Sequence, residues 1–299
     1  MISLVSSLAL SLSLAIAPPG EPTAPAQVTP PVAKPEVAKP EVVKPEATKP
    51  EATKPEAAKP DPARARVEEF LEALEKSGAT IESMSGSLSL EKYDALLEET
   101  ERRFGRLVLD KAGGKRRFTI HFEEFIDGSG RADRAIDHWI YADGWLCEQD
   151  FRNKSFTKRQ IVAPGETFDP LALGEGPIPI PIGQKKAEVL ARFEVAETEI
   201  PLDIPLLGSM RNVAGLKLVP KAGTPMAKET AAIELFYDRT SLAPTGVVIR
   251  EKSGNRSVAR ITKPVVNGEV SDDDRKLLVI PSPDPKEWTI DVCPWRKPE

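Results

Sequence analysis

The sequence predicts an α+β domain: an N-terminal helix, a curled antiparallel β-sheet, and a helical insert that interrupts the strands and helps cover them. Three observations carry this. Apolar residues repeat with helical spacing just after residue 61, period-two alternation then runs through successive segments joined by Gly-containing turns, and a Pro-rich stretch at 176–182 breaks that alternation.

The helix is signalled at both ends. Asp61 suits the N-cap and Pro62 the first helical position; Val67, Phe70, Leu71 and Leu74 then form one stripe, and Gly78 supplies a stop after Lys76. Alternation follows. Met84, Gly86, Leu88 and Leu90 share one face, as do Gly105, Leu107 and Leu109, then Phe118, Ile120 and Phe122 after a turn at Ala112-Gly113-Gly114. Trp139 and Tyr141 lead through Ala142-Asp143-Gly144 into Trp145 and Cys147. These hairpins imply an antiparallel meander with one large apolar face and one polar face.

Gly176-Pro177-Ile178-Pro179-Ile180-Pro181-Ile182 cannot join a sheet interior. A short helix is expected from Gly183 to Phe193, with Ala187, Leu190 and Ala191 toward one side. Further strands are expected at Leu216–Val219, Ala232–Tyr237, Gly246–Arg250, Val258–Thr262, Lys276–Ile280 and Trp288–Cys293. So long a sheet must curl or close, and its apolar face needs a cover. The clustered aromatics Phe118, Phe122, Trp139, Tyr141 and Trp145 are either a packed core or the floor of an acyl-chain cavity.

Ahead of this domain, which spans 63–299, lie two other regions. Residues 1–26 read as a signal peptide or an uncleaved N-terminal anchor: Ile2–Ala17 is apolar and Ser-rich, with small residues at Ala15 and Ala17 and at Ala24 and Ala26. No Cys lies near the end of this run for lipid modification. Residues 27–62 are a linker built on Lys-Pro-Glu every five residues, which favours extended polyproline II. About 30 such residues at ~3.1 Å each reach ~90 Å. This segment is a stalk or a passive spacer. Export is therefore expected, with tethering through the N-terminus as an option; a periplasm as the compartment is implied by the resemblance described below.

Composition excludes several functions. The 41 basic and 46 acidic residues, net −5, are intermixed and give no basic excess for nucleic acid. The chain carries no nucleophile elbow, phosphate loop or dinucleotide glycine fingerprint. With His121 and His138 as the only histidines, no His-rich metal site is expected. His121 falls on the polar strand face and reads as solvated, and Asp272-Asp273-Asp274 as a solvated turn. No catalytic residue, metal or cofactor is expected, and the protein is read as a non-enzyme. Cys147 and Cys293, the only cysteines, are either one disulfide or two free thiols.

Certain residues carry a resemblance. Leu216-Lys217-Leu218-Val219-Pro220-Lys221 precedes Ile233-Glu234-Leu235-Phe236-Tyr237-Asp238, followed by Gly254-Asn255-Arg256-Ser257, Asn267-Gly268 and a strand ending at Pro281. With Gly105-x-Leu-x-Leu, Arg117-Phe118-x-Ile and Asp143-Gly144-Trp145, this order resembles the LolA-type carriers of outer-membrane lipoproteins over residues 64–292. The resemblance implies a half-barrel with a helical lid. It also implies a chaperone-like carrier that shelters the acyl chains of lipoproteins or lipids in transit to the outer membrane. Its partners would be that cargo and inner- and outer-membrane lipoprotein-handling proteins. The expected cavity wall is Leu88, Leu107, Leu109, Phe118, Ile120, Phe122, Trp139, Tyr141 and Trp145. The lid residues are Ala187, Leu190 and Phe193, with Lys111 standing in for the family's lid-holding Arg. The alternatives are a lipid-sensing regulatory module, or a structural envelope protein whose proline-rich stalk does the work.

Overall fold

A computed structural model describes residues 61–111, 114–134, 137–163 and 182–296. The chain separates into two units, Met1–Lys59 and Pro60–Glu299, and the described residues all lie in the second. The leader, most of the linker, the turn residues Ala112 and Gly113, and the Pro-rich stretch through Pro181 lie outside the described residues.

Helix α1 (Pro62–Ala79) forms as its sequence dictates. The Asp61 carboxylate accepts from the Ala63 N–H at 3.0 Å, and Val67, Leu71, Leu74 and Gly78 are buried. The strands are β1 (Ser83–Asp94), β2 (Glu99–Asp110), β3 (Arg117–Ile126), β4 (Ala132–Asp133), β5 (Asp137–Ala142), β6 (Trp145–Asp150) and β7 (Ser155–Gln160). After helix α2 (Lys186–Arg192) come β8 (Phe193–Thr198), β9 (Val213–Pro220), β10 (Thr230–Asp238), β11 (Pro244–Glu251) and β12 (Arg256–Val266), then helix α3 (Asp272–Leu277) and β13 (Thr289–Cys293).

All belong to one sheet, ordered β13-β7-β6-β5-β3-β2-β1-β12-β11-β10-β9-β8, with β4 paired to β3 outside that path. The ends of the series, β13 and β8, do not pair, so the sheet curls without closing. Neighbours are antiparallel except β13 and β7, which run parallel, correcting the all-antiparallel expectation there. A long crossing segment brings the chain back to that edge in the same direction as β7.

Pairing register assigns the faces. Leu90 lies opposite Ala259, and Ala259 opposite Val247. Ala259 packs against both the β1–β6 cluster and the α1–α2 cluster, so the two share one face, the inner one. On this side Val67, Leu71 and Leu74 of α1 and Val189 of α2 meet Leu216, Leu218, Ile233 and Leu235. Each such buried aliphatic side chain stabilises by about 1.5–3 kcal/mol.

The outer face is covered by irregular chain. Ile204, Leu207 and Met210 sit on Phe236, Val248 and Val258. Val270 and Leu278 flank Val108, while Ile280, Trp288 and Ile290 pack on Ile140, Cys147 and Phe156. Residues 276–280, expected as a strand, instead end α3 and continue as irregular chain. Ser271 caps α3 by accepting from the Asp274 N–H at 3.1 Å, and the three aspartates occupy the first turn, where the helix dipole favours them. Asp274 is not solvated: it is buried and ion-paired with Arg106 on β2.

His121, too, is largely withdrawn from solvent, its side chain 18% exposed. Its ring stands 4.9 Å from that of buried His138, whose Nε2 lies 3.0 Å from the Leu277 carbonyl and 2.7 Å from the Thr119 hydroxyl. Burial, then the neighbouring His121, lowers the His138 pKa from 6.5 to about 4, against the raising effect of the Leu277 carbonyl. The unfolded chain thus takes up a proton in a window where the folded one does not. The contribution of His138 to stability is full above pH 6.5 and falls as pH drops toward 4, by up to about 3 kcal/mol. His121, with Glu123 nearby, and the Arg106–Asp274 pair share this surface. A melting series from pH 7 to 4 is expected to slope downward in the wild type and to flatten in His138→Asn.

The two cysteines do not pair. Cys147 shares a face with Lys158 and Cys293 with Arg159, which are adjacent on β7 and so point to opposite sides. The two thiols flank one strand, ~10 Å apart, beyond disulfide reach. Cys147 is buried, with burial raising its pKa to about 11, while Cys293 is exposed. One thiol is expected to react at once with an aromatic disulfide reagent, and the second only after denaturation.

Candidate functional site

The inner face of β1–β6 is read off as rows across the sheet. Met84, Leu109, Phe118, Tyr141 and Leu146 are successive cross-strand partners. The next row is Gly86, Leu107, Ile120, Trp139 and Glu148, and the third is Leu88, Gly105, Phe122, Asp137 and Asp150. Phe118 and Tyr141 stack with centroids 5.7 Å apart, and Phe122 meets Trp139 edge-on at 5.8 Å. Eight of the nine expected wall residues therefore lie together on this face; Trp145 does not.

Trp145 is opposite Ala142 and shares the outer face with Cys147, where Lys158 caps its ring at 4.7 Å. The cause is the two-residue turn, with Asp143 and Gly144 both at positive φ (51° and 82°). Such a turn pairs Tyr141 with Leu146, so Leu146 is the residue that continues the inner wall.

Beyond Leu90 the same face turns ionic. Leu90 lies opposite Arg103, and Lys92 opposite Glu101. The Arg103 Nε is 3.1 Å from Asp137, and its guanidinium lies over Phe125 at 4.9 Å, with Arg152 over the same ring at 5.0 Å. Burial, reinforced by Arg103, lowers the Lys92 pKa; burial raises that of Asp137, against the pull of Arg103. Sequence reading stopped at Leu90, although alternation runs on to Lys92 and back from Leu107 through Gly105 to Arg103.

Of the lid residues, Phe193 is buried and Leu190 partly so, but Ala187 is exposed and Val189 is the residue that α2 buries. The apolar stripe of this seven-residue helix is rotated from the expected one, and Phe193 begins β8 rather than closing the helix. Lys111 pairs with Glu82, just before β1, at 2.9 Å. Polar contacts hold α2. Glu75 of α1 accepts from the Lys186 N–H at 3.0 Å, and Lys221 donates to the Leu190 carbonyl at 2.6 Å. Between α1, α2 and β9–β10 the remaining void is about 10 Å³, room for one water.

Among the described residues the two halves of the inner face are covered differently. Over β9–β12 the counter-layer is α1 and α2. Over β1–β6 the non-sheet members of the cluster are Ile81, Ile161, Val162 and Ile182, and among the described residues no helix packs there. Among the described residues no three His, Cys, Asp or Glu side chains meet as a metal site, and no helix is long and apolar enough to cross a membrane.

No family profile and no curated protein matches this sequence. Solved structures do. An uncharacterized conserved protein from Thermus thermophilus is 12% identical with a TM-score of 0.41, covering 77% of this chain and 99% of its own. A putative outer membrane lipoprotein-sorting protein domain from Vibrio parahaemolyticus is 10% identical (TM-score 0.31; 72% and 98% covered). A LolA superfamily protein from Nitrosomonas europaea is 9% identical (TM-score 0.28; 68% and 94% covered).

Proposed function

We propose that this domain binds acyl chains on the inner face of its sheet and carries lipids or acylated lipoproteins through a periplasm-like compartment. The supporting observation is the unequal cover: the aromatic rows of β1–β6 form a continuous apolar wall that, among the described residues, only loop side chains oppose. The mechanism is physical. Each methylene moved from water to such a wall contributes about 0.8 kcal/mol, so a cavity taking even part of three chains binds tightly. Entry requires displacing the loop side chains or α2. That helix buries one side chain, Val189, and is held by a few hydrogen bonds, so moving it costs little. Release to an acceptor follows when the acceptor offers the chain a better wall than the reclosed domain does.

The small void supports one rival, a solidly packed envelope protein in which the proline-rich segment is the working part. A fluorescent polyene fatty acid separates the two. Saturable binding to the full chain, displaced by palmitate, supports the carrier, and fluorescence unchanged at micromolar protein supports the packed domain.

A further inference from the structure

We propose that the ionic end of the inner face is a head-group site, in which Lys92, beside Arg103, receives the carboxylate or phosphate oxygen of an amphiphile. The amphiphile's chain lies along the apolar rows toward Phe118. This rests on the acyl-chain reading and adds the chemical class of the ligand.

The lining changes character along one direction. On β1 the inner-face residues run Met84, Gly86, Leu88, Leu90, Lys92, and on β2 Leu109, Leu107, Gly105, Arg103, Glu101. On β5 they run Tyr141, Trp139, Asp137. From Met84 to Lys92 the strand rises about 27 Å, the length of a long acyl chain with its head. An apolar wall ending in charge along three strands at once complements an amphiphile, and not a wholly apolar ligand.

The central pair at that end is withdrawn from solvent. The Arg103 side chain is 11% exposed and that of Asp137 23%. Arg103 is already committed, to Asp137 at 3.1 Å and to Glu101 at 3.7 Å. Arg152 is paired with Asp133 at 3.5 Å. Lys92 is half-buried and makes no ion pair among the described residues. Burial first, and then Arg103, lower its pKa, against the opposing pull of Glu101, Glu251 and Asp137. Lys92, a half-buried cation with no ion pair within 4 Å among the described residues, thus stands where the apolar wall stops, and it selects an anionic oxygen. Free phosphate would gain only this ammonium, whereas an amphiphile gains the wall as well.

Calorimetric titration of the full chain tests this with dodecanoate, dodecyl phosphate, dodecanol and inorganic phosphate at low salt. Dodecanoate or dodecyl phosphate is expected to bind about tenfold tighter than dodecanol, and whichever anion binds tighter assigns the head. Lys92→Gln is expected to remove the preference, leave dodecanol unchanged, and melt no lower than wild type, because it deletes an unpaired charge. Lys92→Arg should restore the preference. A preference that survives Lys92→Gln overturns the proposal, as does inorganic phosphate binding as tightly as dodecyl phosphate. Equal binding of all three dodecyl compounds overturns the head-group site alone. Binding of none overturns the acyl-chain reading beneath it.

Discussion

Gly105→Val is expected to abolish folding at ordinary temperature. Gly105 lies in the centre of the sheet, where a bulge between Phe104 and Gly105 shifts the pairing of β2 and β3. A Cβ there would stand 1.9 Å from the His121 carbonyl oxygen and 2.7 Å from the Phe122 Cα. Both obstacles are backbone, held by β5 on the far side, so neither can yield as a side-chain tip would. The loss should exceed the ~1–3 kcal/mol of ordinary overpacking, and even Gly105→Ala should be severe. Gly223→Ala is the control. Its φ of +88° opposes a side chain but nothing lies within 4 Å, so it should cost only about 1–2 kcal/mol. Thermal melts and soluble yield of the three variants check this. A Gly105→Ala protein melting near the wild type would mean that the bulge lies elsewhere.

Phe118→Ala is expected to destabilise the ligand-free protein by about 3–5 kcal/mol, and added fatty acid to restore part of that loss. Phe118 is 0% exposed, stacked on Tyr141 and bordered by Leu109, so truncation leaves a void that its neighbours cannot fill. Where that wall receives acyl chains, a bound chain reoccupies the space, and any ligand confined to the folded state raises its stability. Chemical denaturation with and without palmitate reads both numbers. A loss that palmitate does not change would place Phe118 in a closed core.

Much of this arrangement is legible in the sequence, because period-two alternation fixes which side chains share a face. Leu88, Leu107, Leu109, Phe118, Ile120 and Phe122 fall on the inner wall for that reason, and α1 announces itself through Asp61, Pro62 and its apolar stripe. Trp145 fails because alternation was carried unbroken through the Asp143-Gly144 turn. A two-residue hairpin reflects the count, pairing Ala142 with Trp145 and so reversing which later residues face inward. Residues 276–280 fail because a short apolar run does not distinguish a strand from irregular chain laid on a sheet, although Ser271 and the three aspartates are a helix start. β7 was missed because its one buried side chain, Phe156, leaves no alternation to see. The burial of His121 and His138 was invisible for another reason: it depends on residues 270–278 crossing the outer face, which no local pattern records.

The most direct test of acyl-chain binding is native mass spectrometry of the full chain purified from a lipid-containing host, followed by solvent extraction. Acyl binding predicts mass adducts that extraction identifies as lipids or acylated peptides and that added fatty acid displaces. A single ligand-free mass, unchanged by added fatty acid, would contradict it and leave the inner face as a packed core.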